Sequence, residues 1–331
     1  MDESKHLENL VNRLPDCCTD FLTKTGMSKS LTTRITYAYS LIAFFEYLTS
    51  YHKDFCDYEL KQFDYKDLEI ITSEDIDNYI TKISEKHSRK TTHLRKVTLS
   101  SFYNYLINKE KVTKNPTLKA NPVRIEKSDK VIYLENDEQE KLLNDIYTGS
   151  SLAENKKKYH DKYKLRDYCI ISFILDTGLR VSEVNRANID NLNFDNHYLS
   201  ILRKGNKYQD AYFSDNVESL LKEYLLSRGI DINCLYLYKD EPLFVTNKGE
   251  RLSIRAIQVM VKKYTESSLP AKGKQISVHK LRSSCAMSFY KETDGDILAL
   301  QKKLNHASIT TTNIYAKASD EQMKELRNWK K

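Results

Sequence analysis

Apolar residues recur every three or four positions along most of the chain, which is the spacing of amphipathic helices. The segment 31–48, LTTRITYAYSLIAFFEYL, has this pattern at Leu31, Ile35, Ala38, Ile42 and Phe45. The segment 72–83 begins with Thr and Ser ahead of acidic residues, a typical helix start. The segment 89–111 predicts a longer helix with Leu99, Phe102 and Leu106 on one side. The first third of the chain is therefore predicted to be all helical.

A linker is predicted after this helical region. The segment NPTLKANPVRIEKSDK contains two Asn-Pro turns followed by charged residues without periodicity. A chain of 331 residues is also too long for one ordinary core. We predict a helical domain over residues 1–122, a linker over 123–132 and a second domain over 133–331.

The second domain is predicted to be mainly helical, with one small antiparallel sheet. Its helices are expected at 134–146, 164–180, from 181 onwards, 255–268, 278–293, 296–305 and 320–331. The segment 164–180 should end as a helix at Gly178. Residues 197–214 are β-branched and aromatic on both sides of Gly205-Asn206, which predicts a β-hairpin. Residues 242–253 add a possible third strand and turn.

Residues 304–315, LNHASITTTNIY, fit neither a packed helix nor a strand. Three consecutive threonines lose side-chain freedom in a helix and offer little apolar surface. We expect an irregular, Thr-rich connection between His306 and Tyr315.

Composition narrows the class of protein. The chain is 40% hydrophobic and 30% charged, typical of a soluble globular protein, and it lacks a membrane-length apolar run or a secretory leader. A cytoplasmic protein is expected. The six cysteines have no zinc-type spacing, so we expect reduced structural thiols and neither a metal nor a cofactor.

The charge is unevenly distributed. Residues 82–130 carry 13 Lys and Arg against 4 Asp and Glu, whereas residues 1–81 carry 8 against 15. Such a block is either a solvated face or the footprint of a polyanion such as DNA. The first turns of the helix predicted at 89–111 hold four candidate DNA-binding residues, Arg89, Lys90, Arg95 and Lys96.

Several polar residues of the second domain have ordinary structural explanations when taken singly. Arg180 and Glu183 could be a surface ion pair at helical spacing, and Lys204 a turn lysine. His279 and Arg282 share a helix face by their spacing, as many pairs do. His306 alone would be a structural histidine, and Tyr315 is one of 23 tyrosines.

Together these residues resemble a known set. The stretches TGLRVSEV, RKGNK, HKLR and LNH, with a tyrosine nine residues after the histidine, resemble the catalytic motifs of the tyrosine recombinase/integrase family. The order is the family's, and the resemblance extends over the whole chain. It implies an N-terminal helical, SAM-like core-binding domain that binds DNA and a C-terminal catalytic domain.

The resemblance implies site-specific cleavage and rejoining of double-stranded DNA through a covalent 3′-phosphotyrosine. The implied catalytic set is Arg180, Lys204, His279, Arg282, His306 and Tyr315. Two planar guanidinium groups suit the phosphate, because each can bind two of its oxygens and stays protonated. The histidines would donate hydrogen bonds or move protons, Lys204 would protonate the leaving 5′ oxygen, and Tyr315 would attack phosphorus. Glu183 would orient Arg180 or His279.

Two positions depart from the family pattern. Asn305 stands where the family usually has Gly before the histidine, and Asn tolerates the positive φ that such a turn needs. Ser283 follows Arg282, where the family often has a second His.

The resemblance also implies a homotetramer on two DNA sites, coupled by exchange of C-terminal helices. The tail AKASDEQMKELRNWKK would dock on a neighbour through Met323, Leu326 and Trp329, or alternatively fold back on its own domain. A recombinase of this kind would be associated with the nucleoid.

Other functions remain open from the sequence alone. A monomeric type IB topoisomerase shares this chemistry, and a catalytically silent DNA-binding relative would share the fold. The sequence does not separate a mobile-element integrase from a chromosome-dimer resolvase. The first 25 residues either bind accessory DNA or begin the first helical domain.

Overall fold

The protein has two compact units, Met1–Lys127 and Ser128–Lys331. The division lies inside the segment predicted as a linker. The computed structural model describes residues 3–24, 29–125, 131–203, 207–305 and 308–326. In these ranges, none of the helices combines the length and the apolar character needed to cross a membrane.

The first unit is all helical in its described residues. Its helices are α1 (Glu3–Val11), α2 (Asp16–Lys24), α3 (Leu31–Tyr51), α4 (Tyr65–Ile70), α5 (Ser73–Ser84) and α6 (Arg89–Asn108). Thr72 and Ser88 cap α5 and α6 by accepting hydrogen bonds from backbone N–H groups of the first turn, as these residue types favour. The core combines aliphatic and aromatic side chains from all six helices.

The N-terminal segment is part of this core. Leu10 of α1 and Phe21 and Leu22 of α2 are buried with the side chains of α3 and α6. Phe21 also stacks on Tyr37 with ring centroids 5.7 Å apart. Residues 3–24 therefore begin the helical domain. This was one of two expectations for the N-terminal residues, the other being that they bind accessory DNA.

The second unit is helical with one small sheet. Its helices are α7 (Asn136–Thr148), α8 (Glu154–Lys157), α9 (His160–Thr177), α10 (Val181–Arg186), α11 (Asp215–Ser227), α12 (Ile254–Ser268), α13 (Val278–Glu292), α14 (Ile297–Leu304) and α15 (Ile309–Leu326). Its strands are β1 (Leu192–Asn193), β2 (Tyr198–Arg203) and β3 (Lys207–Tyr212). The mainly helical fold class with a small antiparallel sheet is confirmed.

The predicted hairpin is confirmed, but the third strand is a different segment. β2 lies in the middle of the sheet. It pairs antiparallel with β3, from Tyr198↔Tyr212 to Arg203↔Lys207, and antiparallel with β1 on its other edge. Residues 242–253 were expected to supply this strand, and that expectation is wrong, since they form isolated bridges in the described structure. Pro242 has no N–H to donate to a ladder, and Gly249 turns the chain at φ +78°.

The expected irregular connection before Tyr315 is also wrong. α15 begins at Ile309 and includes all three threonines, and the predicted tail helix is its continuation. Thr312, Tyr315 and Ala318, spaced by three residues, are buried on one face of α15. Thr costs only a few tenths of a kcal/mol more than an average helix residue, so packing of this face outweighs the unfavourable propensity.

Candidate active site

Arg282 lies at the centre of the candidate site and is 2% exposed. Its Nη2 donates to the carbonyl oxygen of Leu304 at 2.7 Å, and its Nη1 donates to the carbonyl of Gly178. These carbonyls lie at the C-terminal ends of α14 and α9, where the helix dipoles favour a positive charge. The guanidinium therefore joins three helices.

Both helix ends turn in the left-handed conformation. Gly178 has φ +67° and Asn305 has φ +53°. The prediction that Asn305 would accept positive φ is confirmed. At Gly178 a side chain would also be crowded, because an added Cβ would lie 2.9 Å from Leu304 Cδ2 and 3.1 Å from Cys285 Sγ, so that these neighbours would have to shift.

Arg180 follows this turn as the N-cap of α10. Glu183, buried in the first turn of α10, accepts hydrogen bonds from the Arg180 backbone N–H at 2.8 Å and from Nη1 at 3.0 Å. The Arg180 side chain is 42% exposed, whereas that of Glu183 is 10% exposed. The more buried Glu183 carboxylate thus fixes the Arg180 guanidinium by a hydrogen bond. Glu183 was expected to orient either Arg180 or His279, and its contact is with Arg180.

His279 lies one turn before Arg282 on α13 and is partly exposed to solvent. Its pKa is lowered by partial removal from water and by the positive charges of Lys280, Arg282 and Arg180. A lowered pKa makes the imidazole neutral at pH 7, so it can accept a proton there.

Tyr315 is 2% exposed and packs in a small cluster around α15. The other members are Tyr133, Ala286, Met287, Leu300, Leu304 and Ala318. Burial raises the pKa of the Tyr315 phenol, while a hydrogen bond with Ser283 and the charges of Arg282 and Arg180 oppose the increase. The phenol is therefore protonated at neutral pH and needs a proton acceptor before it can act as a nucleophile.

The structure thus brings Arg180, His279, Arg282 and Tyr315 together in the second unit. Lys204 and His306 lie outside the described residues. Within the described ranges, no group of three or more His, Cys, Asp or Glu side chains is arranged to hold a metal ion. The Gly178 and Leu304 carbonyls were not predicted as site groups, because backbone acceptors leave little trace in a sequence.

The four cationic candidates of α6 have different surroundings. Arg89 and Lys90 are exposed. The Lys96 ammonium donates to the carbonyl oxygens of Ala120 at 2.8 Å and Asn121 at 2.6 Å, and burial lowers its pKa. Arg95 is half-buried. Burial raises the pKa of the Tyr79 phenol, and the charge of Arg95 opposes this increase. Lys96 thus fastens α6 to the segment after it.

Two helical units and a site of two arginines, a histidine and a tyrosine define the class of DNA strand transferases with a tyrosine nucleophile. Residues 132–322 match the model of the phage integrase family. A tyrosine recombinase XerC of Caldanaerobacter subterraneus subsp. tengcongensis is 32% identical over 327 residues, which cover 96% of this chain and 87% of the relative. The chain belongs to the phage integrase family and is a tyrosine recombinase, an enzyme of site-specific recombination that cleaves and rejoins DNA.

Further relatives agree with this assignment. A tyrosine recombinase of Agathobacter rectalis is 29% identical over 77% of this chain and 81% of its own length. The XerH recombinase in a post-cleavage complex with difH DNA has the same fold, with a TM-score of 0.71 and 22% identity over 100% of this chain and 89% of that one. A lambda integrase dimer on its core site gives a TM-score of 0.62 at 17% identity, covering 92% and 96%. These relatives do not favour the topoisomerase or silent-relative alternatives.

We predict that Gly178→Ala destabilises the protein by about 2–3 kcal/mol, since it adds crowding against Leu304 and Cys285 to the ~1–2 kcal/mol cost of positive φ. Gly229→Ala is the matched control, because Gly229 also has positive φ (+75°) but no atom within 4 Å of an added Cβ. Urea unfolding of both variants measures the difference. Equal losses would show that the contacts around Gly178 do not constrain the site.

Proposed function

We propose that Tyr315 is the nucleophile of this recombinase and that Arg180 and Arg282 bind the scissile phosphate. The observation that carries the proposal is the position of the Arg282 guanidinium on the carbonyls of Gly178 and Leu304, since Arg180 follows Gly178 by two residues and Leu304 packs in the cluster of Tyr315. Both guanidinium charges accordingly act on the Tyr315 phenol and on His279. Positive charge placed around a phosphate stabilises the additional negative charge of the transition state. The Glu183 carboxylate keeps Arg180 oriented towards this phosphate.

In the proposed step, the Tyr315 oxygen forms a bond to phosphorus while the bond between phosphorus and the 5′ oxygen breaks. The phenolic proton passes to a neutral imidazole, for which the lowered pKa of His279 is suitable. Lys204 gives a proton to the departing 5′ oxygen, and His306 hydrogen-bonds the phosphate. Attack by the 5′ oxygen of another strand reverses the step and releases the tyrosine.

Tyr315 and Arg282 are both nearly inaccessible without DNA. The small cluster around Tyr315 therefore has to open for the phosphate to reach the guanidinium. Among the described residues this cluster is much smaller than the main core of the unit, so its opening requires less free energy than unfolding of that core.

We predict that Tyr315→Phe abolishes covalent attachment to a nicked suicide duplex, because the reacting oxygen is absent, while DNA binding is retained. Tyr290→Phe, in the same unit and half-buried beside the Tyr315 cluster, is the control and should form the adduct normally. Denaturing gels of labelled DNA measure the 3′-phosphotyrosyl product. An adduct formed by the Tyr315→Phe variant would exclude Tyr315 as the nucleophile.

For DNA contacts, we propose that Arg89 and Lys90 bind backbone phosphates of the duplex, while Lys96 has a structural role. Removal of one phosphate-binding cation lowers the salt dependence of binding by about one unit in the slope of log K against log salt. We therefore predict a flatter slope for Lys90→Gln and an unchanged slope for Lys96→Gln. Gel shifts at several salt concentrations measure both, and a flatter slope for Lys96→Gln would contradict the assignment.

We further propose that the protein acts as a tetramer on two DNA sites, at the nucleoid, with C-terminal tails exchanged between neighbours. A groove between α7, α9, α11 and α13 is suited to accept a tail. Its lining combines Leu143 and Leu175 with exposed or half-exposed carboxylates at Glu140, Asp176, Glu223 and Glu292, and Lys303 of α14 is the cation that lies among them. The tail is complementary in charge and apolar character, with Arg327, Trp329, Lys330 and Lys331.

Of the three anchors predicted for the tail, Met323 and Leu326 belong to the last turns of α15, and Trp329 lies outside the described residues. A side chain that fills an apolar floor, flanked by charge pairs at the rim, is the usual arrangement of such contacts. Docking of the tail on its own unit is the alternative, and the oligomeric state separates the two.

We predict that Glu140→Lys combined with Glu292→Lys lowers strand exchange roughly tenfold, because repulsion replaces attraction at the groove rim. Reversal of the tail charges with Arg327→Glu and Lys330→Glu should restore exchange in the combined variant. Glu250→Lys, an exposed carboxylate outside the groove, is the control. Sedimentation on DNA measures assembly. Unchanged assembly in the groove variant would contradict docking between neighbours.

A further inference from the structure

One face of α6 carries apolar side chains that the helical core does not use. Its buried side, formed by Leu99, Phe102, Tyr103 and Leu106, packs in the core. On the opposite side, Lys90, Leu94, Val97 and Ser101 follow one another at helical spacing, and we call this set the outer stripe of α6. Leu94 and Val97 are each 41% exposed.

A single exposed leucine on a protein surface needs no explanation. The outer stripe differs because its two apolar side chains lie three residues apart on one helix and directly follow exposed Arg89 and Lys90. Residues 82–130 carry 13 Lys and Arg against 4 Asp and Glu, so the surroundings favour a polyanion over an apolar protein partner. Packing in the core of the unit does not explain two exposed apolar side chains on one face of α6.

An α-helix fits the major groove of B-DNA, where the C5-methyl group of thymine is the apolar feature that a side chain can contact. Positive side chains at the start of such a helix hold the phosphates and set its depth and register. The outer stripe offers this arrangement, with Lys90 and the neighbouring Arg89 placed for phosphates and the aliphatic groups of Leu94 and Val97 one to two turns further along.

We propose that Leu94 and Val97 are specificity-determining residues that read thymine methyl groups in the major groove of the recombination site. This rests on the proposed function, because it requires α6 to lie on DNA. It predicts a thymine preference at one or two positions in the DNA that each protomer contacts. Arg89 and Lys90, by contrast, contribute affinity without sequence preference.

The test begins with a duplex selected from a random library by the wild-type protein. Each thymine of the selected site is then replaced singly by deoxyuridine, which removes one methyl group and leaves base pairing unchanged. At one or two positions we expect wild-type binding to weaken about fourfold, the effect of losing one buried carbon group. Leu94→Ala or Val97→Ala should bind the thymine duplex correspondingly more weakly and become insensitive to the replacement at its position.

Ile70→Ala is the control, since Ile70 is 52% exposed in the same unit but belongs to α4. It should keep the wild-type response to deoxyuridine. The proposal is overturned if no replacement weakens wild-type binding, or if the Leu94 and Val97 variants respond to every replacement as the wild type does. If either result is obtained while the wild type still forms the Tyr315 adduct, only the thymine-methyl proposal is overturned. If the wild type forms no adduct, the proposed function itself is overturned.

Discussion

The burial of the Arg282 guanidinium between the C-terminal ends of α9 and α14 is the interaction on which the site depends. Its hydrogen bonds to the Gly178 and Leu304 carbonyls fasten α13 to two helix ends, and each of those ends needs a left-handed residue to expose its carbonyl. Charge-assisted hydrogen bonds of this kind are stronger than neutral ones. Because Arg180 follows Gly178 by two residues and His279 precedes Arg282 by one helical turn, these contacts also bring Arg180 and His279 to the same site.

The shared position of these groups explains their electrostatics. Partial removal from water lowers the pKa of His279, and the charges of Lys280, Arg282 and Arg180 lower it further. The two guanidinium charges also oppose the effect of burial on the pKa of the Tyr315 phenol. A neutral histidine and a protonated tyrosine at pH 7 are the states from which a proton can move towards the histidine as the phosphate is attacked. The positive charge proposed to bind the phosphate thus also prepares the proton transfer.

The two units carry different candidate features: the first has a surface proposed to contact DNA, and the second has the candidate reacting groups. The first unit presents the cationic start of α6 and its outer stripe on a core that is complete without them. The second unit holds the candidate reacting groups on helix ends and on a helix, α15, that packs through a small separate cluster. The proposed nucleophile, on a helix anchored by this small cluster, can move without disturbing the main core of the unit.

The sequence alone determined the helical class, the hairpin and the membership of the recombinase family, because helical periodicity, turn residues and motif order are local signals. It also determined that Asn305 would turn with positive φ. Tertiary structure decided that residues 309–315 are helical and that β1, not residues 242–253, completes the sheet. It also decided that Lys96 donates hydrogen bonds to backbone carbonyls and that Glu183 accepts a hydrogen bond from Arg180. These outcomes depend on which surfaces are buried together, and burial between distant segments outweighs the few tenths of a kcal/mol of local preference that a sequence displays.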